Sequence, residues 1–328
     1  MVIQFRELPD YTVLSRMHHI AVNRSGLPPE TVFTNPSKSL ASQQLLAGQF
    51  RLAPLYFYPF SSYSIFEPDF SFDAPELRGL SMPPHSSFPF DTPEQALGAQ
   101  EATLFQKGCF WKGVEFALLQ EEHGLQPTLW IGGPYTMATM LCPIEKILHY
   151  ATSTPQLLQP LFSLAAKITS TLIRTAVNNL ASSLLLVISE PLADTPLLTP
   201  EMFDKLVAPG IKKIQMETQL QKIRTAYHLE GNHLPYLPTW HRILAGSKTT
   251  LMFPDDYDLP KIINHTTPDI QLVRGLPSDL SNKKFALFHE ETMRITSEFN
   301  RAICYQTPEF STEMDSLNYL KALSERPF

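Results

Sequence analysis

Seven short segments rich in β-branched, aromatic or aliphatic residues alternate with helical patterns along this chain: 53–58, 128–131, 184–189, 225–230, 250–253, 270–274 and 302–305. That alternation constrains the fold more than any other feature. Strands separated by helices pair most readily in parallel, with the helices covering the sheet they cross. Several helices announce their start with Thr followed by Pro at the first helical position, as in Thr92-Pro93, Thr154-Pro155 and Thr199-Pro200. The longest spans 155–181, where Leu158, Leu161, Phe162, Ala165, Ile168, Leu172 and Val177 recur near a 3.6-residue period.

A doubly wound open sheet would satisfy the same alternation, but no Gly-x-Gly-x-x-Gly follows any strand, and that removes its commonest ligand signature. Eight strands would close a barrel, so the expectation is an α/β fold, a single (β/α)8 TIM barrel over residues 1–328. The eighth strand is expected inside a Pro-rich stretch, since eight of the 29 prolines fall between positions 54 and 93. Residues 1–50 read as a helical N-terminal extension, and 59–93 as a long loop over the barrel mouth. Leading into it, the aromatic run from Tyr56 to Tyr63 either packs as a cluster or stacks on a planar ligand.

The composition excludes several partners. A net charge of −6 without a basic run argues against nucleic acid. The start, Met-Val-Ile-Gln-Phe-Arg, lacks a cationic segment followed by an apolar one, and the longest strongly apolar run, 184–188, is too short to span a bilayer. The expectation is a cytoplasmic monomer or homodimer with no membrane partner. Cys109, Cys142 and Cys304 are too few and scattered for a disulfide framework, so a special role for any of them must come from a thiol or a metal.

The most informative single segment is Trp130-Ile-Gly-Gly-Pro-Tyr-Thr-Met, an apolar strand running into a turn and then a helix. Gly132 and Gly133 permit a sharp turn and close approach of a ligand, and Pro134 stiffens the turn ahead of Tyr135. The same residues also serve as plain punctuation between a strand and a helix.

The segment resembles the Gly-Pro-Phe-Thr-Leu signature of the uroporphyrinogen decarboxylase superfamily, and the likeness continues in order. Leu184-Leu-Leu-Val-Ile-Ser-Glu-Pro resembles that family's strand ending in Asp-Pro, with Glu190 in place of Asp. Leu198-Thr-Pro-Glu-Met-Phe resembles its Leu-Ser-Pro-Glu-x-Phe helix start. Tyr227-His-Leu-Glu-Gly-Asn resembles its His-x-Cys-Gly-Asn strand end, with Glu230 in place of the Cys. These segments cover about residues 129–308. The superfamily holds tetrapyrrole decarboxylases and zinc methyltransferases that carry methyl groups from corrinoid proteins to thiols.

The methyltransferase branch implies a zinc site made of His228, Glu230 and, from the last strand, Cys304. His228 and Glu230 are two apart, so on a strand they face the same side, at the C-terminal end where barrel enzymes place their chemistry. Nitrogen, oxygen and sulfur all suit zinc, and three protein ligands leave a fourth position for a substrate thiol. The alternatives are a hydrogen-bonded His228, a strand-end Glu230 and a small buried Cys304, with His233 and His241 as substitute ligands. The resemblance further implies Glu190 and His228 as catalytic groups, and Gly132, Gly133, Pro134, Tyr135 and Asn232 around a corrinoid such as methylcobalamin.

Two other functions compete. The decarboxylase branch needs an Arg-rich N-terminal motif for its polyanionic substrate and a catalytic Asp on an early strand. Here only Arg6, Arg16 and Arg24 are present, and Ala53-Pro-Leu-Tyr-Phe-Tyr-Pro-Phe has no carboxylate. A barrel that has lost its metal and binds a corrinoid or tetrapyrrole without catalysis is the remaining reading, and the altered His-x-Glu motif is its best support.

Overall fold

A computed structural model describes residues 13–16, 25–50, 53–58, 88–99, 110–180, 183–190, 198–277, 282–307 and 319. Eight strands form one sheet: β1 (Val13–Arg16), β2 (Ala53–Leu55), β3 (Thr128–Gly132), β4 (Leu185–Ser189), β5 (Arg224–His228), β6 (Thr250–Phe253), β7 (Gln271–Gly275) and β8 (Ile303–Gln306). Their order is β2-β1-β8-β7-β6-β5-β4-β3, and every ladder is parallel. All seven expected strands are present. The eighth is β1, inside the stretch read as a helical extension and not in the Pro-rich segment. Its four residues, Val-Leu-Ser-Arg, are too short and mixed to announce a strand by themselves; pairing with β2 and β8 makes them one. Residues 59–87, most of the Pro-rich loop, lie outside the described residues.

The helices that cover the sheet include α1 (Pro29–Thr34), α2 (Pro36–Ala47), α3 (Phe110–Glu122), α4 (Pro134–Leu141), α5 (Ile144–Ser153), α6 (Gln159–Asn179), α7 (Ala208–Leu220), α8 (Leu237–Leu244), α9 (Leu259–Asn264) and α10 (Asn282–Glu298). Of the three Thr-Pro starts, only Thr199 caps with its side chain, accepting from Met202 N at 3.3 Å. Thr92 and Thr154 precede 3-10 turns without a side-chain cap.

The strands sort their side chains onto two faces. One face, Leu55, Phe57, Trp130, Leu185, Val187, Ala226, Met252, Val273 and Cys304, forms an inner cluster. The other, including Leu129, Ile131, Leu186, Ile188, Tyr227, Leu251, Phe253 and Leu272, packs against the helices in the larger core. Burial on both faces explains why β4 reads as an uninterrupted apolar run. The order ends at β2 and β3 among the described residues, yet their side chains meet: Phe57 lies edge-on to Trp130 with centroids 4.9 Å apart. Tyr56 and Tyr58 are also buried, the latter stacked on Phe116 at 5.1 Å, so this part of the aromatic run packs within the protein.

Candidate active site at the C-terminal strand ends

His228 closes β5 on the inner face and is 2% exposed. Its neighbours in register are Ser189 on β4 and Met252 on β6. Ser189 Oγ lies 3.3 Å from Nδ1, and the Trp130 ring meets the imidazole edge-on at 5.3 Å, so both the ring plane and one nitrogen are held. The other nitrogen, Nε2, is 3.1 Å from Glu230 Oε1. That approach is close but not aligned as a hydrogen bond, and Nε2 is buried with no hydrogen-bond partner. An unpaired buried nitrogen beside a half-buried carboxylate is what the His-x-Glu spacing places at the sheet's C-terminal edge.

Cys304 does not join them. It is the second residue of β8, pairs in register with Val273, and accepts from Gln271 Nε2 at 3.7 Å. It lines a cavity of about 430 Å³ with Leu185, Arg224, Thr250 and Gln271, the first residues of β4 to β7. Cys304 therefore faces the N-terminal end of the strands, opposite His228. Among the described residues no group of three or more His, Cys, Asp or Glu side chains is placed to hold a metal. The substitutes do not complete one either. His233 is fully buried and its Nε2–H donates to the Glu190 carbonyl at 2.9 Å. His241 bonds through Nδ1 to the His265 carbonyl at 3.1 Å, on α8.

Glu190, which the resemblance implies as a catalytic group, lies against the start of α4. It is fully buried, and its oxygens accept from Tyr135 N at 3.1 Å and from Thr136 N and Oγ1, both at 2.9 Å. These are unpaired donors at the start of α4, so the carboxylate satisfies the helix N-terminus. Burial pushes its pKa up from 4.5 to about 7, against the pull of those three hydrogen bonds. The glycine turn serves the same contact. Gly133 has φ −71°, which any residue adopts, but a Cβ there would lie 2.2 Å from Glu190 Oε1. Room for Glu190 demands that glycine.

The remaining residues of the expected corrinoid site are the turn from β3 into α4 and Asn232 after β5. Pro134 is the first residue of α4 and packs on Gly210 of α7. Tyr135 is fully buried against Phe162 in the helix layer, with centroids 5.8 Å apart. Thr169 Oγ1 donates to the Gly132 carbonyl at 3.2 Å. Asn232 is exposed and accepts from Leu234 N at 3.2 Å, shaping the turn after β5. Sequence reasoning missed Trp130, Ser189 and Gln306. Strand parity was the available signal: Trp130 lies two residues from Gly132, Ser189 two from Val187 and Gln306 two from Cys304, all on the inner face.

A parallel α/β sheet with a buried polar pair at the strand C-termini places that pair where α/β enzymes commonly carry their sites. Comparison with known proteins agrees: residues 119–253 match the family described as Uroporphyrinogen decarboxylase (URO-D). That segment runs from α3 to the end of β6 and contains the Gly-Gly-Pro turn, Glu190, His228 and Glu230, so the superfamily resemblance holds. No curated protein sequence matches. Among solved structures, a methyltransferase from Methanosarcina mazei is 18% identical, covers 97% of this chain and 94% of its own, and superposes with a TM-score of 0.72. It shares the fold.

Proposed function

We propose that this chain is a methyltransferase of the uroporphyrinogen decarboxylase superfamily, working at the mouth of a closed (β/α)8 barrel and moving a methyl group from a corrinoid donor to a thiol. The observation that carries the reading is the buried, unpaired Nε2 of His228 beside Glu230 at the C-terminal strand ends. The family match over β3 to β6 and the fold shared with a methyltransferase support it.

The donor set accommodates zinc in part. Ligands about 2.0–2.1 Å from a tetrahedral zinc stand about 3.3 Å apart, close to the 3.1 Å between Nε2 and Oε1. His228 and Glu230 would hold it, and a third protein donor is not among the described residues. Bound there, zinc would keep a substrate thiol as the thiolate at neutral pH. Ser189 and Trp130 fix the His228 ring, and the inner aromatic cluster limits water around the reacting atoms.

The test is zinc content by elemental analysis together with thiol-dependent demethylation of methylcobalamin, in the wild type and in His228→Ala, Glu230→Ala and Cys304→Ser. About one zinc per chain and measurable turnover are expected, both lost in the first two variants and kept in Cys304→Ser. Turnover without zinc would remove the metal and leave methyl transfer; absence of both would overturn the proposal.

A further inference from the structure

Inside the strand array, two more buried polar atoms lack a hydrogen-bond partner: Trp130 Nε1 and Gln306 Oε1. The side chains are 2% and 4% exposed. Trp130 sits in the inner cluster, between Phe57 and His228. Gln306 ends β8 two residues after Cys304, hence on the same inner face, while the intervening Tyr305 points outward to His289 and Phe288 of α10. Other unpaired atoms, such as Tyr135 Oη and Trp240 Nε1, belong to side chains packed among the helices, where buried water is the ordinary partner. Trp130 and Gln306 instead face the interior, Trp130 in contact with His228 and Gln306 as the last residue of β8.

An indole N–H only donates, and an amide oxygen only accepts. We infer that these two groups hold the non-reacting end of the substrate, which presents an acceptor oxygen to Trp130 and an N–H or O–H donor to Gln306. A carboxylate with a neighbouring ammonium, as in an α-amino acid, supplies both. A simple acid supplies only the first, and an alkyl thiol neither. Edge contact between Trp130 and His228 keeps the bound group next to the reacting atom. The inference rests on the mouth being the active site, as proposed above.

Calorimetric titration of the full chain tests it with three thioethers that need no turnover: S-methylcysteine, 3-(methylthio)propionate and ethyl methyl sulfide. S-methylcysteine should bind tightest, with 3-(methylthio)propionate about tenfold weaker, the loss expected for one hydrogen bond. Trp130→Phe, which keeps a ring, should weaken both about tenfold; Gln306→Leu should weaken S-methylcysteine alone. Should a variant fail to fold, the wild-type order of the three ligands decides. Equal affinity for all three, no binding of any, or variants that weaken ethyl methyl sulfide as much as S-methylcysteine would overturn the inference. A chain that binds S-methylcysteine in this way but never demethylates methylcobalamin keeps the inference and loses the proposed reaction. Methyl transfer to ethanethiol and cysteine alike, with no preference, does the reverse.

Discussion

Glu190 and His233 form the most consequential buried pair of titratable groups, joined where His233 Nε2 meets the Glu190 carbonyl. Burial moves them in opposite directions, Glu190 up from 4.5 to about 7 and His233 down from 6.5 to about 4. Between pH 4.5 and 7 the folded chain holds a proton on Glu190 that the unfolded chain has released, so this contribution to stability is full below 4.5 and lost as pH rises through 7. For His233 the unfolded chain holds the extra proton, so its contribution is full above 6.5 and lost as pH falls toward 4. The two slopes oppose each other in the wild type. Glu190→Gln removes one of them, and urea midpoints measured from pH 4 to 7.5 should then rise more steeply with pH up to 6.5 than in the wild type. Parallel curves would show that Glu190 is ionised throughout. His-x-Glu parity on β5 was legible at this scale from spacing alone. Glu190 was not, because its partners, Tyr135 and Thr136, lie 55 and 54 residues away and only folding brings them within 3.1 Å.

At the scale of elements, α4, α6 and α7 pack around one glycine. A Cβ on Gly210 would sit 2.8 Å from Pro134 Cγ and 3.0 Å from Ala166 Cβ. Replacing a mid-helix glycine by alanine should gain about 1 kcal/mol in propensity, while forcing a methyl into a filled contact costs about 1–3 kcal/mol. Overpacking outweighs propensity, so Gly210→Ala should lower stability by up to about 2 kcal/mol in denaturant titration; a more stable variant would show that α7 shifts freely. The same helix begins with a wide turn, Phe203–Val207, in which Ala208 N bonds back to Phe203 O. Pro209 explains it, since it has no N–H to offer Lys205 and its ring needs room there. Helix positions followed from periodicity and Thr-Pro starts. That only Thr199 caps with its side chain depended on local backbone geometry, which residue type does not encode.

Across the whole molecule, the junction of β2 and β3 is where the array either closes or stays open. Phe57, 7% exposed and edge-on to Trp130, is the side chain that joins them. Phe57→Ala should cost about 3–5 kcal/mol if that seam is a packed interior, measured by urea unfolding. A loss below about 1 kcal/mol would mean that the two strands stand apart. Among the described residues no helix is long and apolar enough to cross a membrane, in keeping with helices that spend their apolar faces on the sheet.

By itself the amino-acid sequence determined the alternation of strands and helices, seven of the eight strands and the facing of His228 and Glu230 to one side. These are local properties, carried by side-chain period and by residues within a few positions of one another. The tertiary structure decided that Val13–Arg16 is a strand, that Glu190 serves the start of α4, that Cys304 faces the opposite end of the array, and that Trp130, beside His228, and Gln306, at the end of β8, are left unpaired. Parity tells which face of a strand a residue occupies, but its height along the array depends on how eight strands are staggered against one another. That stagger is set by pairing between distant segments, and no single segment contains it.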